Sequence, residues 1–240
     1  MAYTNSPLVS YTKLSPNHSG QRTHSIDRIT PHCVVGQCSV ETLGNVFLPK
    51  SRQASSNYGI GVDGRVGMYV EEKDRSWCSS SAANDQRAVT IECASDSKAP
   101  YAFKDVVYNK LIELCTDICK RNGKTKLLWL GDKTKTLNYT PKSDEMVLTV
   151  HRWFANKSCP GDWLYARMGD LAEKVTAALG GQAPASLDNA PAAWSKDAVN
   201  WALESRLLLG DSNGNLMLRE NLTREQFCVM LKRYHDMLQK

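Results

Sequence analysis

The sequence contains no apolar run that approaches the ~20 residues of a membrane-spanning helix, which excludes a helical membrane protein. Its start, MAYTNSPLVSYTKLSPNHSG, lacks the basic and then apolar segments of a Sec signal peptide. It also lacks a Lys/Arg run of the kind that binds nucleic acid, and the net charge of +5 is dispersed. We therefore expect a protein made in the cytoplasm that binds neither membrane nor nucleic acid, although its mild charge could favour an anionic polymer.

Histidine is scarce, so each histidine is informative. Of the five, His18, His24 and His235 lie in polar or terminal contexts. His32 and His151 instead lie in or just after strand-like runs. They are candidates for a functional site, although hydrogen-bonded histidines at strand ends are also common.

The stretch TVHRWFANKSCPGDWL, residues 149–164, gathers His151, Lys157 and Cys159 in a run too polar for a core. Two neutral imidazoles and a thiolate form a sound ligand set for zinc, and they leave a fourth position open for water. That open position distinguishes a catalytic site from a closed structural one. The spacing alone does not distinguish zinc ligands from hydrogen-bonded histidines at strand ends, so both interpretations stay open on the residues themselves.

The eight cysteines do not predict a disulfide framework, because the chain is long and has no signal peptide. Free thiols are the better expectation. Cys115 and Cys119 lie four positions apart on a predicted helix, where buried, inert thiols are more common than half of a metal site. Cys33 and Cys38 are interpreted in the same way.

Alternating and β-branched segments predict a mixed sheet with helices packed on it, an α/β fold. The predicted strands include ITPHCVV, SSNYGIGV, VGMYVEE, AVTIECAS and KLLWL, with a VDG hairpin turn between the second and third. Helices are predicted for SVETLGNVF, 103–121 and 163–179. This pattern defines a main domain over residues 1–178.

A composition break follows the main domain. Residues 179–193 are rich in Gly, Ala and Pro and predict a linker. Residues 194–240 then predict two helices around a loop, with DSNGN as a tight turn. Thr223 and Gln226 form a capping box at the start of the second helix.

Four motifs together resemble the zinc-dependent N-acetylmuramoyl-L-alanine amidases, the type-2 amidase family that includes phage endolysins and is related to peptidoglycan recognition proteins. They are ITPHCVVGQCSVETLGNVF, ASSNYGIGVDGRV, RSWCSSSAANDQRAVTIECA and LTVHRWFANKSCPGDWL. The resemblance covers roughly residues 8–175, with the motifs in the family's order. It implies a type-2 amidase fold with a bound Zn²⁺ ion.

The resemblance also implies roles for individual residues. It matches the family's zinc ligands to His32, His151 and Cys159. The sequence departs from the family at Cys33, where relatives often carry a second histidine, and this departure affects the surroundings of the first ligand and not the ligand itself.

Three further residues are implied as catalytic by the same resemblance. Glu92 of VTIECA matches the family's general base, Lys157 a basic residue beside the third ligand, and Tyr58 a tyrosine that some members carry at a strand start. Each has a simpler alternative: Glu92 as a polar strand-end residue, Lys157 as a solvated side chain, and Tyr58 as a packing aromatic.

The last segment, WSKDAVNWALESRLLLGDSNGN with the following LTREQFCVMLKRY, resembles one S-layer homology motif, a helix–loop–helix unit associated with cell-wall polymers. Such motifs usually act in sets of three. The resemblance implies a wall-binding segment for a secondary cell-wall polymer or a segment that forms homodimers.

Together these patterns predict a hydrolase that cleaves the amide bond between N-acetylmuramic acid and L-alanine of peptidoglycan, as in an endolysin released to the cell wall. The alternatives are a non-catalytic peptidoglycan receptor on the same fold, a host autolysin, or a structural zinc protein that binds nucleic acid.

Overall fold

The computed structural model describes residues 3–180, 189–210, 216–219 and 222–239. The chain divides into two compact units, Met1–Ala183 and Pro184–Lys240. Within the described residues, no helix combines the length and the apolar character that crossing a membrane requires. None of the eight cysteines forms a disulfide bond, and Cys115 and Cys119 are buried as predicted.

The first unit combines nine described strands with six α-helices. The strands are β1 (Val9–Thr12), β2 (His18–Gln21), β3 (Arg28–Cys33), β4 (Tyr58–Ile60), β5 (Val66–Met68), β6 (Asp74–Ser76), β7 (Ala88–Cys93), β8 (Lys126–Leu128) and β9 (Glu145–Leu148). The helices are α1 (Val40–Phe47), α2 (Ala82–Arg87), α3 (Asp105–Arg121), α4 (Lys133–Asn138), α5 (Asp162–Tyr165) and α6 (Met168–Ala178). Short 3₁₀ helices span Lys50–Arg52 and His151–Trp153.

Seven strands form one mostly parallel sheet in the order β1-β5-β4-β7-β3-β9-β8. The neighbours β4, β7, β3, β9 and β8 are all parallel, whereas β5 runs antiparallel to β4. A separate antiparallel pair joins β2 to β6. The predicted mixed α/β sheet is therefore confirmed, and the VDG turn connects β4 to β5 with Gly64 at φ +82°.

Alternation along the central strands separates an apolar face of the sheet from a polar one, because successive side chains in a strand point to opposite faces. Ile29, Ile91 and Leu148 are fully buried in a core that also contains side chains of α3 and α6. A fully buried Leu-sized side chain contributes about 1.5–3 kcal/mol relative to exposure. This core therefore fixes the three central strands against the helices.

The opposite face of the same strands carries a buried polar network. The Thr30 and Thr149 hydroxyls lie 2.7 Å apart, and the Asn84 side chain donates to Thr30 at 3.0 Å and accepts from Thr149 at 3.1 Å. Since buried polar groups are costly unless they are hydrogen-bonded, this network holds β3, α2 and the residue that follows β9 in one arrangement. Thr30 and Thr149 precede His32 and His151, respectively, by two residues.

The predicted helix over 163–179 is instead two helices, α5 and α6. The chain turns at Ala166 and Arg167, where the Arg167 amide bonds to the Leu164 carbonyl at 2.8 Å. Trp163 packs on Phe103 and Tyr108, and the Arg167 guanidinium lies 4.1 Å from the centre of its ring. Aromatic packing therefore overrides a continuous helical periodicity.

The second unit contains the two predicted helices, α7 (Lys196–Glu204) and α8 (Arg224–Leu238), and a 3₁₀ helix at Ala193–Ser195. The predicted capping box of Thr223 and Gln226 is confirmed in both directions. The DSNGN segment, 211–215, lies outside the described residues, as do residues 181–188 of the predicted linker.

Candidate active site

His32 and Glu92 are neighbours because β3 and β7 pair in parallel with these two residues in register. His32 is fully buried, and its Nδ1 lies 4.0 Å from the Glu92 Oε1. Burial, and to a lesser extent the nearby His151, lowers the pKa of His32 well below its ordinary value. The imidazole is therefore neutral, and its contact with Glu92 is not an ion pair.

His151 and Cys159 reach the same place from the segment after β9. The Arg152 amide donates to the Cys159 carbonyl at 3.1 Å, which folds the loop back on the 3₁₀ helix His151–Trp153. The Cys159 Sγ then lies 3.2 Å from the His32 Nδ1, and the rings of His32 and His151 are 5.1 Å apart. Three distant parts of the sequence thus meet at the carboxyl ends of neighbouring strands.

This group is a candidate metal site. One donor atom from each of His32, His151 and Cys159 lies within 4.8 Å of the others. The His151 Nε2 is 3.0 Å from the Ser80 hydroxyl, which leaves the Nδ1 of His151 as its free ligand atom. The His32 Nε2 is buried without a hydrogen-bond partner in the described residues. Two neutral imidazoles and one thiol fit zinc, and a hydrogen bond on the second ring nitrogen is the usual way to orient such a ligand.

Glu92 carries the carboxylate beside this group. Burial raises its pKa to about 7, although a hydrogen bond from Cys78 and the charge of Arg52 oppose the rise. The Cys78 Sγ lies 3.8 Å from Oε1, whereas Oε2 is buried with no partner in the described chain. A carboxyl group whose pKa lies near neutrality can both take up and release a proton at physiological pH.

An open cleft of about 570 Å³ connects these side chains to solvent. Glu92, His151 and Lys157 all line it, together with Arg52 and Trp77. Lys157 is exposed, and its charge adds to burial in lowering the pKa of His151. The cleft therefore presents positive charge and an aromatic ring around the candidate metal group.

Tyr58 does not join this arrangement. It pairs with Ile91, not with Glu92, and so lies on the apolar face of the sheet. Its fully buried hydroxyl donates to Glu72 at 2.7 Å and accepts from the Ser6 amide at 2.8 Å. The catalytic role that the resemblance implies for Tyr58 has no geometric support, because the sheet separates its side chain from the cleft.

We expect Tyr58→Phe to weaken folding and leave turnover within about twofold. Removing the hydroxyl leaves Glu72 and the Ser6 amide without this partner, which costs about 1–3 kcal/mol for a buried group. Urea unfolding measures the loss, and Tyr69→Phe, which removes a hydroxyl bonded to the Val40 carbonyl at 2.8 Å, is a matched control. A large loss of turnover with unchanged stability would restore the catalytic assignment.

The structure adds residues that the sequence did not single out. Cys78, Ser80, Arg52 and Arg75 all line the cleft. Cys78 and Ser80 belong to the RSWCSSSAAND motif, so their position in a family motif was the available signal. Trp153, two residues after His151, is buried and stacked on Trp129 with the ring centres 5.1 Å apart, so it does not line the cleft.

Residues 17–162 match the family described as N-acetylmuramoyl-L-alanine amidase. The chain therefore belongs to this amidase family, and its function is of the peptidoglycan amidase type. No curated protein matches the sequence significantly.

Several solved structures are similar to the chain. A selenomethionine derivative of AmpD is 16% identical with a TM-score of 0.49, covering 72% of this chain and 99% of its own. The N-acetylmuramoyl-L-alanine amidase LysC from Clostridium intestinale URNW is 16% identical with a TM-score of 0.45, and the match covers 76% of this chain and 96% of LysC. A mutant of Drosophila PGRP-LB in complex with tracheal cytotoxin is 12% identical with a TM-score of 0.45, and the match covers 65% of this chain and 86% of the PGRP-LB chain.

Proposed function

We propose that the protein is a zinc-dependent N-acetylmuramoyl-L-alanine amidase that hydrolyses the bond between the lactyl carbonyl of N-acetylmuramic acid and L-alanine. The observation that carries this proposal is the meeting of His32, His151 and Cys159 beside the Glu92 carboxylate at the edge of an open cleft. Family membership supports the same bond as the target.

The proposed ligands are His32, His151 and Cys159. A bound zinc ion would supply Lewis acidity to the scissile carbonyl and lower the pKa of water in the site. Both imidazoles have lowered pKa values and so remain in the neutral form that binds metal.

Glu92 is the proposed general base and acid. Its pKa of about 7 suits a group that takes a proton from the attacking water and then delivers it to the leaving amine of alanine. Lys157 lines the same cleft, and its proposed role is to stabilise negative charge that develops on the carbonyl oxygen. One well-aimed donor of this kind is worth about 3–4 kcal/mol in the transition state.

Digestion of purified peptidoglycan tests the reaction. We expect new alanine amino termini and no new reducing sugars, because the proposed cleavage breaks an amide and leaves glycosidic bonds intact. A zinc assay on the same preparation accompanies the digestion. Reducing ends without free amines would identify a glycosidase, and binding to walls without any product would identify a non-catalytic receptor.

For the second unit, we propose binding to a cell-wall polymer, self-association, or both, with residues 179–193 as the linker. None of its described residues is fully buried, and exposed apolar side chains are frequent. They are Trp194, Trp201, Leu209, Leu222, Phe227, Val229, Leu231, Tyr234 and Leu238. A segment this small is below the ~70–80 residues at which a lone core is comfortably stable, which supports a role in contact with a partner.

A chain ending at residue 180 is expected to bind zinc and cleave soluble muropeptides at the normal rate but to lyse intact cells more slowly. All proposed catalytic residues precede that point, whereas a paired second unit could raise wall affinity by about 10²-fold through avidity. Light scattering measures self-association, pull-down on purified walls measures wall binding, and turnover of a soluble fragment measures catalysis. Wall binding equal to that of the full chain would contradict the targeting role, and lost turnover on the soluble fragment would move the domain boundary.

We further propose that the enzyme acts on the bacterial wall as a phage or prophage endolysin, released through a pore made by another protein. Expression in the cytoplasm should then leave cells intact until the membrane is permeabilised. A host autolysin would instead lyse walls without such a treatment.

A further inference from the structure

Cys78 is held rigidly at the wall of the cleft. It follows β6, and its backbone amide donates to the Asp85 carboxylate at 3.0 Å. The Ser79 amide donates to the same carboxylate at 3.1 Å, and Asp85 is itself buried in the first turn of α2. These two backbone hydrogen bonds fix the position of the segment that carries the Cys78 side chain.

The Cys78 thiol is within hydrogen-bond distance of only one of the two carboxylate oxygens of Glu92. The Cys78 Sγ lies 3.8 Å from Oε1, within hydrogen-bond distance for sulfur, and Oε2 has no partner among the described residues. A carboxylate held on one oxygen cannot rotate freely about its terminal bond. The second oxygen thus keeps one direction and stays available to accept a proton.

We propose that Cys78 is a positioning residue for Glu92, whose thiol donates to Oε1 so that Oε2 remains the oxygen that exchanges the proton. This inference rests on the proposed amidase function. The observation that carries it is the 3.8 Å separation between the Cys78 Sγ and the Glu92 Oε1.

The competing interpretation is that Cys78 binds metal, because donor atoms of His32, Cys78 and Glu92 also lie within 4.8 Å of one another. The two interpretations differ in what removal of the thiol does. Loss of a metal ligand lowers metal content, whereas loss of a positioning hydrogen bond leaves it unchanged and lowers the rate of the chemical step.

The test compares Cys78→Ala and Cys78→Ser with the unchanged protein on a soluble muropeptide. We expect Cys78→Ala to lower kcat about tenfold, the equivalent of one hydrogen bond of ~1.4 kcal/mol, with KM and zinc content unchanged. Cys78→Ser keeps a donor and should remain within about threefold of the unchanged protein.

Cys38→Ala is the matched control. Cys38 is half-buried, and burial, together with the nearby Glu92 carboxylate, raises the pKa of the Cys38 thiol. Unlike Cys78, Cys38 does not form a hydrogen bond with Glu92. Its kcat should not change. Equal turnover in Cys78→Ala and the unchanged protein, or a loss of zinc in Cys78→Ala, would overturn the proposal.

A spectroscopic measurement separates this inference from the proposed function. The infrared S–H stretching band of Cys78 is isolated as the difference between the unchanged protein and Cys78→Ala. We expect it at the lowered frequency of a hydrogen-bonded thiol, and to shift to the frequency of a free thiol in a Glu92→Ala background. A band that is insensitive to Glu92→Ala would overturn the inference even if amidase activity is present, whereas an inactive protein with the expected shift would contradict only the proposed function.

Discussion

Cys159→Ser is expected to release zinc and to lower amidase turnover by about 10³-fold or more. The thiolate is the proposed anionic ligand and lies 3.2 Å from the His32 Nδ1, so its loss leaves two neutral ligands. Lewis-acid stabilisation is worth several kcal/mol, and each ~1.4 kcal/mol is a factor of ten in rate. Metal analysis of the purified variant and turnover of a soluble muropeptide measure the two effects.

The expected loss should be specific to the proposed ligands. His32→Ala and His151→Ala should behave as Cys159→Ser does, whereas Cys38→Ser should retain both zinc and turnover. Hydrolysis of cell walls at the full rate by a metal-free preparation would contradict the metal mechanism as a whole.

Glu92→Gln is expected to lower kcat by about 10²–10⁴-fold while zinc content stays unchanged. Glutamine keeps the size of the side chain and removes its ability to take up and release the proton, which is the usual contribution of a general acid–base group. The thiol of Cys78 can still donate to the amide oxygen, so the position of the side chain is conserved. Steady-state kinetics and metal analysis on the same sample separate chemistry from metal binding.

Glu145→Gln is the matched control for this substitution. Glu145 is, like Glu92, a glutamate on a central strand, but it is buried at the amino end of β9 and accepts a hydrogen bond from Tyr139 at 2.6 Å. The Glu145→Gln substitution should change the free energy of unfolding and leave turnover unchanged. Glu92→Gln turning over as fast as the unchanged protein would assign the proton transfer to another group.

The central strands and long helices were predictable from sequence because their patterns are strong. Segments such as ITPHCVV and AVTIECAS combine β-branched residues with alternation, and α3 presents a long apolar face. The short edge strand β1 and the helix α4 (KTKTLN) carry no comparable pattern, since packing and a cap from Asp132 define them. The split of 163–179 depends on the contacts of Trp163, which no local pattern contains.

The candidate site was predictable in part. The grouping of His32, His151 and Cys159 followed from a resemblance, and the structure brings these three side chains together. The face on which Tyr58 lies was not accessible, because it depends on the register between β4 and β7 and a shift of one residue reverses it. The hydrogen bond between Cys78 and Glu92 joins residues on different elements and likewise requires the fold.

The distance along the chain between the proposed ligands has a consequence for how the enzyme matures. His32 and Cys159 are 127 positions apart, so the site does not exist in a nascent or unfolded chain. Zinc supply would then determine how long the folded protein persists and not how fast it forms, since a ligand that binds only the native state adds about 2.7 kcal/mol at a hundredfold excess over its Kd. With the proposed zinc site, a cell short of zinc would contain folded but inactive protein that persists for less time than the zinc-loaded form.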